Sequence, residues 1–163
     1  MRLLFGIACL AVTLTASVAA HAQTCASPAH YQGSFGGPSV AGTTCGGDTT
    51  AAGYCAGNLD APGPAYVMQS TINENRMFTD ISLTGGPGYD ALILMSPVSG
   101  GCGTNAACTA TGDPGSPIPS TDVPNGEYFI IVTAATFDAP GACGTFTVTS
   151  GPLPVELQEF TID

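Results

Sequence analysis

The sequence has no tryptophan, no lysine and very few basic residues. Two of its 163 residues are Lys or Arg, twelve are Asp or Glu, and the formal net charge is −10. A surface of this charge repels phosphate backbones, which argues against nucleic-acid binding. It also repels anionic membranes. Because only 9% of the residues are charged, we expect the acids to keep an otherwise apolar protein soluble.

Histidine is equally scarce, and this limits the catalytic chemistry to be expected. Beyond residue 22 the only histidine is His30, and no serine lies in a G-x-S-x-G motif, which argues against a nucleophilic triad. A carboxylate pair for glycoside hydrolysis remains open by residue type alone. The candidates are Asp80, Asp90, Glu127, Glu156 and Glu159. Without tryptophan platforms for a sugar, we expect no enzyme, and a small secreted hydrolase is the alternative.

The N-terminus has the pattern of a signal peptide. Arg2 is followed by a mainly apolar run from Leu3 to Val18, and then by Ala20-His21-Ala22. These features predict Sec-type export with cleavage after Ala22, so that the mature protein is secreted or held at the cell surface. A membrane anchor is the alternative, but the run is short for a span and a cleavage site follows it. We expect no membrane insertion after processing.

The cysteine count predicts disulfides. Cleavage removes Cys9 and leaves an even set of six: Cys25, Cys45, Cys55, Cys102, Cys108 and Cys143. An even set in an exported chain indicates disulfide bonds, although the sequence alone allows about 15 pairings. Spacing favours Cys102–Cys108 and Cys45–Cys55, which would leave Cys25–Cys143. No C-x₂₋₄-C spacing typical of a zinc site occurs.

Residue patterns divide the chain into four parts. A signal peptide (1–22) precedes a Gly- and Thr-rich, disulfide-tied arm (23–64), which has weak strand signals at Ser34–Phe35 and Val40–Thr44. A β domain (65–151) and a C-terminal strand or tail (152–163) follow. Short period-two segments separated by Gly/Pro turns predict an all-β sandwich or barrel. These segments are 66–72, 76–84, 89–95, 127–135 and 144–149.

Three segments of the β domain support specific predictions. The segment 127–135 is expected to be a central strand, and its inward face is expected to carry Tyr128, Ile130 and Val132. A hairpin-type turn is expected before it, at Asn125-Gly126. The segment 89–95 is apolar on both faces, which also predicts a central position. The pattern of residues 96–122 predicts one long loop that is restrained by its cysteines and prolines. Because long loops of this kind are usually functional, we expect the binding surface there.

Calcium is the ligand that the sequence favours most. Hard cations need several oxygen ligands, and Asp48, Asp60 and Asp90 lie in or beside turns where they could supply them. Neighbouring turns add three further oxygen-bearing side chains, Asn58, Asn73 and Glu74. The alternative is that turn Asp and Asn side chains bond their own backbone. On that interpretation Asp90 caps the turn at residues 86–88.

Residues 66–150 resemble the bacterial pre-peptidase C-terminal domain. Four segments carry the resemblance: Phe78–Leu83, Gly88–Leu94, Pro124–Val132 and Gly144–Val148. They match its loose pattern of an apolar strand, a Gly turn followed by Asp, Pro-x-Gly-x-Tyr before a strand, and a final Gly-x-Phe-x-Val. The resemblance implies a jelly-roll-like antiparallel β-sandwich of the kind appended to secreted proteases. We expect no peptidase domain before it, because residues 23–64 are too few to form one.

Taken together, these patterns predict a non-catalytic extracellular module for binding, adhesion or structural support. Its expected partner is an extracellular protein or a glycan. A subunit of a surface assembly or filament is the alternative, in which residues 155–162 add an edge strand to a neighbour.

Overall fold

The computed structural model describes residues 23–31, 39–49, 55, 61, 63–72, 80–103, 107–119, 123–135, 139 and 141–150. The predicted signal peptide, the predicted strand at Ser34–Phe35, Asp60 and the C-terminal segment 152–163 lie outside these residues. Within them the structure is almost entirely β, with one 3₁₀ turn at Val98–Gly100 and no α-helix. No helix in these ranges is long and apolar enough to cross a membrane.

Nine strands in the described residues form two sheets, which confirms the predicted all-β fold. The strands are β1 (Ala29–His30), β2 (Val40–Thr43), β3 (Asp48–Thr49), β4 (Pro64–Ile72), β5 (Ile81–Gly85), β6 (Ala91–Pro97), β7 (Ala110–Gly112), β8 (Gly126–Ala134) and β9 (Thr145–Ser150). The arm predicted at 23–64 contributes strands to both sheets, since β1 pairs with β4 and β2 pairs with β9.

The larger sheet has the order β1-β4-β8-β6-β7, with β3 paired to β4. The pairing between β4 and β8 is antiparallel and runs from Tyr66 opposite Val132 to Ile72 opposite Gly126. Because β8 lies between β4 and β6, the prediction of a central strand is confirmed. Its alternate residues Tyr128, Ile130 and Val132 all lie in the core between the sheets, as predicted.

The smaller sheet has the order β2-β9-β5 and is entirely antiparallel. On β5, Ile81 and Leu83 are buried while Ser82 and Thr84 are exposed, as the alternation predicts for these four residues. On β9, Phe146 and Val148 point into the same core. The two sheets therefore pack face to face as an antiparallel β-sandwich.

The other face of the larger sheet is also buried. It carries a second apolar cluster that includes Val67 of β4, Leu94 of β6 and Ile131 of β8. Cys102 belongs to this cluster, and Cys25, Cys55 and Cys108 pack against it. Loops joined by disulfides thus cover the outer face, and this explains why β6 and β8 are apolar on both sides.

All six described cysteines form disulfides, but the pairs favoured by spacing are wrong. The bonds are Cys25–Cys102, Cys45–Cys143 and Cys55–Cys108, with Cα–Cα distances of 5.8, 4.9 and 4.6 Å. Sheet register explains the second bond. Thr43 of β2 lies opposite Thr145 of β9. Cys45 lies two residues after Thr43 and Cys143 lies two residues before Thr145, so the antiparallel register brings the two cysteines together. The other two bonds join the arm to the 96–122 segment over the outer face of the larger sheet.

The segment 96–122 is not one long loop. It contains β7, which pairs with β6, and then Ile118, which forms a bridge with Ile81 of the smaller sheet. Ile118 is fully buried, so this segment passes from one sheet to the other and supplies a core side chain. The expected hairpin at Asn125-Gly126 is also wrong, because β8 pairs with β4 and β6 rather than with β7, the strand before it.

Candidate functional site

The structure does not assemble the predicted calcium ligands into a site within the residues it describes. Asp48 lies in β3 opposite Ala65, and Asp90 lies just before β6, where its backbone oxygen accepts a hydrogen bond from the Ala135 N–H at 2.8 Å. Asp60 lies outside the described residues. No group of three or more His, Cys, Asp or Glu side chains able to hold a metal occurs in the described ranges. Calcium binding stays a prediction.

The carboxylates considered for sugar hydrolysis have a similar distribution. Asp80, Asp90 and Glu127 are exposed, and they lie on or beside three different strands, β5, β6 and β8. Glu156 and Glu159 are not among the described residues. His30 is exposed at the end of β1.

A different feature stands out on the outer face of the smaller sheet, which carries uncharged hydroxyl side chains. Thr145, Thr147 and Thr149 of β9 alternate with the inward-facing Phe146 and Val148. Alternate residues of a strand are about 6.7 Å apart, so β9 presents its threonines as a regular row. Ser82 and Thr84 extend the row sideways on β5. We call Ser82, Thr84, Thr145, Thr147 and Thr149 the hydroxyl face.

Strand register sets these hydroxyl side chains side by side. Ser82 lies opposite Thr149, and Thr84 lies opposite Thr147. On the other side of β9, Ala41 of β2 lies opposite Thr147. Neighbouring strands are about 4.8 Å apart, so the methyl and hydroxyl groups form one continuous, nearly flat surface.

The side-chain hydroxyls of the hydroxyl face have no hydrogen-bond partners within the described part of the chain, in contrast to buried hydroxyls of the larger sheet. The buried Thr133 hydroxyl donates to the Gly63 carbonyl at 3.1 Å, and that of Ser96 donates to the Gly101 carbonyl at 2.7 Å. No side-chain hydrogen bond of the five face residues occurs among the described residues. Their donors and acceptors therefore face solvent and are open to a ligand.

Two adjoining clefts give this surface depth. One, of about 230 Å³, crosses all three strands and is lined by residues including Ala41, Gly42, Thr84 and Thr147. The other, of about 360 Å³, is lined by Thr84, Gly85, Gly88, Tyr89, Asp90 and Pro114. Because Thr84 and Gly85 line both clefts, the two clefts adjoin, and we call them together the groove.

Glycines allow the close backbone contacts that shape the groove. A Cβ at Gly86 would overlap the Thr145 Oγ1 atom, and a Cβ at Gly85 would overlap the Tyr89 carbonyl oxygen. Gly88 has φ +71°, a left-handed conformation that favours glycine. The turn at residues 86–88 therefore brings the chain closely past β9 and directs it into Tyr89.

A hydrogen-bonded cluster fixes the wall of the groove at Tyr89. The Thr44 hydroxyl donates to the Tyr89 hydroxyl at 3.0 Å and accepts from the Gly144 N–H at 3.2 Å. The Tyr89 ring lies against Gly144, where a Cβ would overlap it. This contact ties the turn to the ends of β2 and β9, so the groove is built on a rigid part of the fold.

The described lining of the groove carries little charge. Among the described residues that line the two clefts, Asp90 is the only charged one. The tyrosines with perturbed pKa values belong to the core: burial raises the pKa of Tyr31 and of Tyr66. The groove is suited to exchanging many weak hydrogen bonds with an uncharged partner.

Sequence reasoning missed the hydroxyl face, although a signal for it was present. Thr145, Thr147 and Thr149 repeat with the period of a strand, opposite an apolar face, and Ser82 and Thr84 do the same on β5. What the sequence does not contain is the pairing of β5 with β9, which brings the two sets together.

No family model, curated protein or solved structure matches this chain.

Proposed function

We propose that the protein is a non-catalytic extracellular module that binds another molecule through the hydroxyl face and the groove. The observation that carries this proposal is the set of side-by-side hydroxyls without partners in the described structure. The buried hydroxyls of Thr44 and Thr133 are hydrogen-bonded, whereas these are presented outward on a rigid sheet. Rigid presentation lowers the entropy that is lost on binding.

The extracellular part of the proposal is supported by disulfide chemistry and by the N-terminus. Three disulfides join the chain, and such bonds are typical of oxidising compartments. The signal-peptide pattern at residues 1–22 agrees with export. We also propose that residues 66–150 are a pre-peptidase C-terminal-like domain, on the motifs that carry that resemblance.

The non-catalytic part is supported by the composition of the groove. Its described lining contributes one carboxylate, from the exposed Asp90, among hydroxyls and glycines. Glycoside hydrolysis uses two carboxylates that flank the same bond, and the described lining does not supply the second.

Binding assays on the exported protein test this function. Fluorescently labelled protein is incubated with neutral polysaccharides, an anionic polysaccharide and collagen, and the same materials are checked for cleavage products. We expect saturable binding to at least one of them without cleavage. The variant Thr147→Arg, which places a bulky cation in the groove, should lose this binding. The variant Thr111→Arg, on the exposed strand β7 of the other sheet, should keep it.

Two results would overturn the proposal. One is no saturable binding to any material in the set, and the other is turnover that is lost on mutating Asp90 or Glu127.

A further inference from the structure

We infer that the ligand of the groove is a neutral polysaccharide chain. This inference rests on the proposed function and adds the chemical class of the ligand to it.

Charge excludes the ionic alternatives first. The protein has a formal net charge of −10, so its field repels anionic polymers such as uronic-acid polysaccharides or nucleic acids. A strongly cationic ligand would be recognised by converging carboxylates, but the hydroxyl face carries no charge. The partner that suits this surface is itself uncharged.

Hydroxyl chemistry then indicates what the uncharged partner is made of. A threonine or serine hydroxyl has one donor and two acceptor positions, the same groups that a sugar hydroxyl presents. Each face residue can therefore donate to or accept from a sugar in either orientation. The threonine methyl groups between the hydroxyls offer apolar contact to the C–H faces of sugar rings.

Shape favours a chain over a single small molecule. Pockets for small ligands are concave and enclose most of the ligand, whereas this groove is shallow and open. It runs from Gly42 of β2 across β9 to Thr84, and continues past Tyr89 to Pro114. An extended polymer can lie along this length and contact several hydroxyls at once.

The chemistry of contact also predicts weak, salt-independent binding. When a ligand binds, each exposed hydroxyl replaces a hydrogen bond to water by one to the ligand, so the net gain in binding free energy per hydrogen bond is small. Salt weakens binding by screening ionic contacts. Because the proposed complex has none, added salt should not lower its affinity. Each further sugar unit in the groove would add to the binding free energy, so longer oligosaccharides should bind more tightly than short ones.

The experiment compares the full exported protein with two sets of variants. Thr84→Val with Thr147→Val removes two hydroxyls from the groove and keeps the branched shape. Thr111→Val makes the same change on β7, away from the groove. Retention is measured on insoluble cellulose, chitin and mannan, on alginate, an anionic polysaccharide, and on collagen, at low and high NaCl. Thermal midpoints confirm that each variant is folded.

We expect the wild type to bind a neutral polysaccharide with little salt dependence. The double variant should bind about tenfold more weakly, the loss of two hydrogen bonds of ordinary net strength. Thr111→Val should match the wild type.

Each contrary result has a separate meaning. If the folded double variant binds as tightly as the wild type, the groove is not the polysaccharide site, while the protein remains a binding module. If the wild type binds only alginate or only collagen, the ligand class is wrong and the proposed function stands. If it binds none of the materials, both proposals fail.

Discussion

The ring of Tyr66 on β4 meets the ring of Phe146 on β9 edge to face, with centroids 5.1 Å apart and planes at 69°. This contact joins the larger sheet to the smaller one directly beneath the groove. Phe146 also lies between two glycines in register, Gly42 on β2 and Gly85 on β5. A Cβ at Gly42 would overlap the Phe146 ring, so this glycine gives the ring room, and the core and the floor of the groove depend on the same row of residues.

Removing the ring of Phe146 should destabilise the whole sandwich. Phe146 is 3% exposed, and truncating a buried phenylalanine to alanine costs about 3–5 kcal/mol. The measurement is urea unfolding of Phe146→Ala, with Thr111→Ala as an exposed control that should stay within about 0.5 kcal/mol of the wild type. Equal stability of the two variants would show that the Tyr66–Phe146 contact is not part of the core.

Adding a single methyl group at Gly42 should also destabilise the protein. A Cβ there would lie 2.8 Å from the Phe146 Cζ atom and 3.2 Å from the Tyr66 Cε2 atom. Since the two rings hold each other in place, Gly42→Ala should cost about 1–3 kcal/mol, as overpacking does. Gly103→Ala is the matched control, because a Cβ at Gly103 meets nothing within 4 Å. A neutral Gly42→Ala would mean that the rings move apart freely.

Disulfide mapping should recover the pairs given by the fold. Peptides from non-reduced protein should link Cys25 to Cys102, Cys45 to Cys143 and Cys55 to Cys108, and thiol titration in denaturant should find no free cysteine. Replacing Cys45 and Cys143 together by serine should cost about 2–5 kcal/mol, because the bond joins positions 98 residues apart. A recovered Cys102–Cys108 peptide would contradict the outer-face packing described above.

Tyr31 should make stability fall at alkaline pH. Its side chain is 2% exposed and its hydroxyl has no hydrogen-bond partner of good geometry. Burial raises its pKa above the ordinary value of 10.0, and the nearby Ser150 hydroxyl only partly opposes this. The folded state therefore holds the phenolic proton more tightly than the unfolded state. The resulting stability is complete below pH 10.0 and is lost as the pH rises through the raised value.

Urea unfolding of the wild type and Tyr31→Phe at several pH values measures this effect. Phenylalanine cannot ionise, so the variant should lose less stability than the wild type between about pH 9 and pH 11. Parallel losses in the two proteins would assign the alkaline sensitivity to another group. Burial also raises the pKa of Tyr66. Because the wild type and the variant both contain Tyr66, its contribution cancels when their stabilities are compared.

The strands were largely predictable from the sequence because each strand's pattern is local. Tyr128, Ile130 and Val132 alternate strictly, and Ile81 and Leu83 do the same, so their inward faces follow from the two-residue period of a strand. The buried position of Ile118 was not predictable, because it depends on a bridge to Ile81, 37 positions earlier in the chain.

The disulfide pairing and the groove were harder to predict from the sequence, for the same physical reason. Cys102 and Cys108 are close in sequence, yet each bonds a cysteine of the N-terminal arm. That choice follows from which loops cover the outer face of the larger sheet, and a sequence pattern does not encode it. The groove likewise depends on the pairing of Thr84 with Thr147 across two strands.

The buried outer face of the larger sheet has a consequence for how the protein matures. Val67, Leu94 and Ile131 are covered by segments that Cys25–Cys102 and Cys55–Cys108 hold in place. A chain whose cysteines are still reduced would leave these residues less protected, and exposed apolar sheet surface promotes aggregation. Oxidation is therefore a step that should accompany folding closely. Yield from a reducing host compartment should be limited by aggregation, and it should recover when an oxidant and a disulfide isomerase are supplied.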